Sequence, residues 1–145
     1  MLGAYMIELI PAPVGAQEVS IPLFAAPAVC GFPSPATDYI EKRLDLNQMC
    51  IRNPSATYYA RAKGESMQAY HINDGDILVV DRSIEAKHNS IVVAAIDGEF
   101  TVKKLQTSPA VCLLSGNPDY PPIYPREGQT LDTFGVVTYV VHRME

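Results

Sequence analysis

The sequence predicts a mostly β protein preceded by a proline-rich arm. From Ala56 onward, short runs rich in Val, Ile, Thr, Tyr and Phe alternate with Asn, Asp and Gly turn residues. Prolines 11, 13, 22, 27, 33 and 35 crowd the start, and prolines 118, 121, 122 and 125 crowd the region after the strand-rich centre. Proline removes an amide donor and clashes with the preceding turn, so neither region sustains a long helix. Many short strands with turns between them predict a barrel or sandwich.

In chain order, residues 1–37 read as a flexible arm. Ile21-Pro22-Leu23-Phe24 is a short apolar piece within it. Gly31-Phe32-Pro33-Ser34-Pro35 is extended or turned, because residues before proline avoid the helical region. A helix is expected over Tyr39–Leu44, capped by Thr37 or Asp38 and ended by Asp45 and Asn47. Ile40 and Leu44, four residues apart, would form its buried stripe.

The remainder, residues 38–145, reads as one β-rich domain. Thr57–Ala62 is a strand, Gly64–Met67 a turn and Asn73–Asp76 a second turn before the strand Ile77–Asp81. Ile91–Ile96 and Phe100–Leu105 flank Asp97-Gly98-Glu99, a hairpin signal. Val111–Leu114 and Gly135–His142 add two strands.

Composition excludes several function classes. The chain of 145 residues is 48% hydrophobic and carries a net charge of -5. No basic run exceeds two residues, whereas phosphate contacts need clustered Lys and Arg, so direct sequence-specific nucleic-acid binding is not expected. Cys30, Cys50 and Cys112 are odd in number and form no CxxC, which speaks against a disulfide framework or a zinc site. Neither a metal nor a cofactor is expected. No apolar run approaches the ~18 residues that span a bilayer, and Met1–Ile10 lacks a basic start. A reduced, cytoplasmic protein away from membranes is expected.

Three features could carry chemistry. Gly64-Glu65-Ser66-Met67 lies between two strands, where a glycine lets the chain turn and present a serine hydroxyl. Most such segments are ordinary turns, and a nucleophilic serine needs a base. His71, His88 and His142 form no recognisable triad motif. A lysine can serve if burial lowers its pKa of ~10.4 enough to make it neutral. Lys103 and Lys104 sit within a β segment, so they face opposite ways. Parity does not say which faces inward, and a surface lysine beside a snorkelling one fits as well. Third, Cys30-Gly31 in the arm is a bond between small residues, with Pro27 and Pro33 keeping helix away. That is equally the description of a plain linker.

Together these features resemble the LexA/UmuD family of self-cleaving Ser/Lys peptidases, and specifically UmuD-type mutagenesis proteins. Ala28-Val29-Cys30-Gly31-Phe32-Pro33-Ser34-Pro35-Ala36 is similar to the family's cleavage region, with Asp45-Leu46-Asn47-Gln48 and Pro54-Ser55-Ala56-Thr57-Tyr58 after it. Gly64-Glu65-Ser66-Met67 with Asp74-Gly75-Asp76 resembles the serine motif. Asp97–Leu105 resembles the lysine motif, and Phe134-Gly135-Val136-Val137 the final strand. Glu65 and the stretch Gln68-Ala69-Tyr70-His71 depart from the family pattern, and the first twenty residues match none of it.

The resemblance implies Ser66 as nucleophile, Lys103 as general base and Cys30-Gly31 as the scissile bond. The amides of Ser66 and Met67 are candidates for the oxyanion site. It also implies a β-rich fold, a homodimer, stimulation by RecA filaments on single-stranded DNA, and action with a UmuC-type translesion polymerase in SOS mutagenesis. Two other readings share the residues. One is a non-catalytic partner module whose arm only docks; the other is a signal-peptidase-like enzyme, which would need a membrane anchor.

Overall fold

The computed structural model describes residues 8–11, 18–24 and 40–145. It is mostly β, as expected. Strands β1 (Glu8–Pro11), β4 (Thr57–Arg61), β5 (Ile77–Asp81), β6 (Ile91–Ile96), β7 (Glu99–Gln106), β8 (Cys112–Leu114) and β9 (Asp132–Val141) form one antiparallel sheet. Its order is β1-β4-β5-β9-β6-β7-β8. Strands β2 (Ile21–Phe24) and β3 (Ile40–Leu44) pair in a second, two-stranded sheet. The last strand in sequence is therefore an interior strand, with β5 on one side and β6 on the other.

The expected helix over Tyr39–Leu44 is not formed: Ile40–Leu44 is β3, and the helix α1 covers Leu46–Cys50 instead. The reason is local and physical. An extended Ile40–Leu44 gains backbone partners along Ile21–Phe24 that a helix in the same place would forgo. Asp45 then caps α1 at its start rather than closing a helix at its end. Its Oδ1 accepts from the amides of Asn47 (2.9 Å) and Gln48 (3.4 Å), and its Oδ2 accepts from Val19 N–H at 3.0 Å. One buried carboxylate thus starts α1 and fastens the segment leading into β2. Within the stretch read as an arm, β1 and β2 pair with β4 and β3 respectively. The bond Cys30-Gly31 lies outside the described residues.

The remaining elements agree closely with the sequence reading. The hairpin turn Asp97-Gly98 has positive φ at both residues, 50° and 81°, as the twist of a tight β-hairpin requires. The core comprises two clusters. Ala60, Ala62, Met67, Ile72, Leu78, Val80, Val93 and Val102 form one. Val92, Ala94, Ile96, Leu105, Leu113 and Val136 form the other. Strand β7 contributes to both, so its two faces are each packed and its lysines are both constrained. No helix of the described residues is long and apolar enough to cross a membrane.

β9 bends where it passes between these clusters. Its register slips against β5 between Val79 and Val80, and against β6 between Val93 and Ala94. Gly135 sits at this crossing. A Cβ there would lie 2.8 Å from Val80 Cγ1 and 3.1 Å from the carbonyl oxygen of Asp81, closer than packed atoms tolerate. Gly135→Ala should therefore destabilise the fold by ~1–3 kcal/mol through overpacking, read as a lower denaturant midpoint with unchanged slope. An unshifted midpoint would show that the crossing has room to spare.

Candidate active site

The loop between β4 and β5 carries Ser66. Two turns shape it. Gly64 adopts φ 94°, open to glycine and strained for other residues, and its N–H donates to Asp74 Oδ1 at 2.8 Å. The base of the loop is closed by Ala62 N–H to Asp76 O (2.8 Å) and Gly75 N–H to Ala62 O (2.7 Å). Buried Asp76 then uses Oδ2 to accept from Asn73 N–H at 2.8 Å, and its Oδ1 lies 2.5 Å from His142 Nδ1. Met67 is 0% exposed and packs with Ala60, Ala62 and Ile72. The residue after the serine is thus an apolar plug that pins the loop to the core.

Opposite this loop, β7 delivers Lys103. Its Nζ donates to Ser66 Oγ at 2.9 Å and to the carbonyl of Val102 at 3.1 Å. Ser66 is 1% exposed and Lys103 3% exposed. Burial penalises the charged amine and pulls its pKa from 10.5 down to about 8. The neighbouring Lys104 faces away and is half-buried, with its Nζ 4.9 Å from the centre of the Tyr70 ring. Strand parity required the two lysines to differ; the tertiary fold puts Lys103 at the serine.

Both candidate oxyanion amides lie on the same loop. Among the described residues, neither the Ser66 nor the Met67 N–H donates to a protein acceptor. A groove of about 310 Å³ opens beside Lys103, walled by Ile96, Asp97, Tyr120, Pro122, Ile123 and neighbouring residues. Tyr120 and the turn that carries it escaped the sequence reading, which registered only a proline-rich segment there. No three His, Cys, Asp or Glu side chains gather to hold a metal among the described residues. A hydroxyl and a neutralisable amine in hydrogen-bond contact beside a groove can supply a nucleophile and a base for attack on a carbonyl.

A serine hydroxyl and a lysine amine thus meet at hydrogen-bond distance on a β scaffold. The chain belongs to the family described as Peptidase S24-like, whose model matches residues 22–138. It is 48% identical over 126 residues to Protein SamA of Salmonella typhimurium, covering 87% of this chain and 88% of SamA. It is 49% identical over 133 residues to Protein ImpA of Escherichia coli, covering 90% of each, and 48% identical over 127 residues to Protein MucA of the same species, covering 86% of this chain and 87% of MucA. A LexA repressor from Azoarcus is 39% identical over 109 residues, which is 74% of this chain but 53% of that repressor. The LexA/UmuD resemblance read from the motifs is borne out.

The depressed lysine has a consequence for stability. Below about pH 8 both folded and unfolded chains carry the proton, and the folded state bears the full cost of a buried ammonium. Between about 8 and 10.5 only the unfolded chain keeps it, so this contribution to stability rises with pH. Lys103→Met should exceed the wild type in unfolding free energy at pH 7 by ~1–3 kcal/mol. The margin should shrink as pH passes from 8 to 10.5. Denaturant titrations of both proteins at pH 6, 8 and 10 measure it, and a margin independent of pH would show that the lysine is not desolvated.

Proposed function

We propose that this chain is a self-cleaving serine peptidase of the UmuD type, in which Ser66 and Lys103 cut the bond Cys30-Gly31. The observation that carries the reading is the 2.9 Å contact between Lys103 Nζ and Ser66 Oγ inside a water-poor site. Neutral Lys103 takes the Ser66 proton as Oγ attacks the carbonyl carbon of Cys30. The amides of Ser66 and Met67 stabilise the oxyanion that forms. Lys103 then passes the proton to the nitrogen of Gly31 as the C–N bond breaks. Water hydrolyses the resulting ester and frees the carboxylate of Cys30 and the hydroxyl of Ser66.

The substrate segment belongs to the arm, residues 1–37, and the peptidase body to residues 38–145. β2 ends at Phe24 and β3 begins at Ile40, and the two strands are hydrogen-bonded to each other. The scissile bond thus falls in a connection whose two ends are tethered at the body. With an amine pKa of about 8, roughly a tenth of the molecules hold a neutral lysine at pH 7. Unaided cleavage at pH 7 therefore runs about tenfold below its high-pH rate, and a RecA filament on single-stranded DNA accelerates it by favouring the docked arrangement. The product, residues 31–145, acts in the cytoplasm with a UmuC-type polymerase in SOS mutagenesis. RecA, the polymerase and the SOS role come from the family resemblance. Membership in the Peptidase S24-like family favours this reading over a signal-peptidase-like one.

A homodimer fits the carboxy-terminal strand. The pairing of β9 with β6 ends at Val136, while its pairing with β5 continues to Val141. Val140 and Val141 are exposed, so this half of β9 offers an apolar edge to a second copy. Sedimentation at micromolar concentration should give twice the chain mass; a monomer at that concentration would remove the dimer from the scheme.

Cleavage itself is tested without RecA, by mass spectrometry across pH. A fragment beginning at Gly31 should accumulate at a rate that rises with pH, passes its midpoint near 8 and levels off above it. Ser66→Ala and Lys103→Ala should each slow it by ~1000-fold or more. Lys104→Ala should stay within about fivefold of wild type, because a cation–π contact is worth only ~1 kcal/mol. A reproducible cut at another bond, or a Lys103→Ala variant that still cleaves, would overturn the assignment. An uncut chain under every condition would favour the non-catalytic partner module.

A further inference from the structure

The two amides assigned to the oxyanion are held in place by a turn that no sequence motif marked. Residues 115–120 come directly after β8 and are stapled internally. Ser115 Oγ donates to Tyr120 O at 2.6 Å, Tyr120 N–H to Asn117 O at 3.0 Å, and Asp119 N–H to Asn117 Oδ1 at 2.9 Å. The turn docks on the nucleophile loop through three bonds. Gly116 N–H donates to Ser66 O at 2.6 Å, Ala69 N–H donates to Gly116 O at 3.2 Å, and Asn117 Nδ2 reaches Glu65 O at a long 3.5 Å.

Peptide planarity gives these bonds their meaning. In a trans peptide the C=O of one residue and the N–H of the next point in opposite directions in one plane. Fixing Ser66 O fixes the direction of Met67 N–H, and fixing Glu65 O fixes that of Ser66 N–H. We propose that the Gly116–Asn117 turn is the positioning element of this site: it clamps the two peptide planes whose amides receive the oxyanion. The proposal rests on the Ser66/Lys103 reading above and names a part of that machinery outside the dyad.

A side chain at 116 would be crowded because the two loops nearly touch. A Cβ there would lie 3.0 Å from Ala69 Cβ, 3.0 Å from Tyr70 Cδ2 and 3.1 Å from Ala69 N. A Cβ there requires a shift of a few tenths of an ångström, which under this proposal is taken up in the 2.6 Å bond to Ser66 O. The same turn carries Tyr120 into the wall of the groove beside Lys103, so it joins the oxyanion side of the site to the substrate side.

The test is Gly116→Ala in the full chain, alone and with Ala69→Gly, which removes one of the closest contacts. Losing an oxyanion donor outright costs about 10²–10³ in rate, so misaligning it should lower the plateau of the pH–rate profile by roughly 10- to 100-fold. The midpoint should stay near 8, because Lys103 is untouched. The double variant should recover part of the loss, because Tyr70 Cδ2 and Ala69 N stay close. In parallel, the Met67 amide resonance is followed by NMR in uncleavable Ser66→Ala with and without Gly116→Ala; it should move, while the thermal midpoint changes little. A plateau equal to wild type, a still Met67 amide, a rate loss that merely tracks the folded fraction, or no rescue by Ala69→Gly would each overturn the proposal. If wild-type protein fails to cleave at any pH, the dyad reading falls; the Met67 amide then reports by itself on whether Gly116 fixes that peptide.

Discussion

The placement of one amine in a dry site governs this molecule. A lysine at 3% exposure is costly while charged, and the fold accepts that cost to hold Nζ at 2.9 Å from Ser66 Oγ. Burial makes the amine neutralisable near physiological pH, and burial also makes the hydrogen bond to serine unusually effective because little water competes for it. The same burial that weakens the fold therefore brings the amine's pKa down to about 8. This trade is tolerable because β7 is packed on both faces, so the core around Lys103 does not depend on that one side chain.

The surrounding structure serves to keep the serine rigid opposite that amine. Met67 plugs the loop into the core from below. Asp74 and Asp76 close its entry and exit through backbone amides. Gly116 grips it from the far side. None of these groups has reactive chemistry of its own, yet each removes a freedom that the loop would otherwise have. An exposed turn of glycine and serine is ordinarily mobile; this one is tied at its base, its middle and its flank.

The strand order has a further effect on the amino-terminal residues. β1 extends the main sheet at β4, and β2 extends β3. Asp45 fastens the start of β2 to α1, with one oxygen on the first turn of α1 and the other on Val19. The segment before the Cys30-Gly31 connection is thus secured to the body by backbone pairing, while β9 bends at Gly135 to serve both halves of the sheet.

Period-two alternation and turn residues made β4 to β9 legible, because those signals depend on neighbours along the chain. The serine turn and the lysine strand were legible for the same reason, and parity alone required Lys103 and Lys104 to face apart. Where the backbone could be satisfied in more than one way, local pattern failed. Ile40–Leu44 fits a helical stripe as well as a strand, and only pairing with the distant Ile21–Phe24 decided between them. The choice of Lys103 for burial depended on how β7 lies against the β4–β5 loop, thirty-seven residues earlier in the chain. The grip of Gly116 on Ser66 was invisible for the same reason. By itself the sequence determined the β character and the turns, since these are written in local steric and hydrophobic preferences; Ser66 stood out as a nucleophile only through the family resemblance. Which amine meets the hydroxyl, and what holds the hydroxyl still, were decided by contacts between distant segments that exist only once the sheet has closed around them.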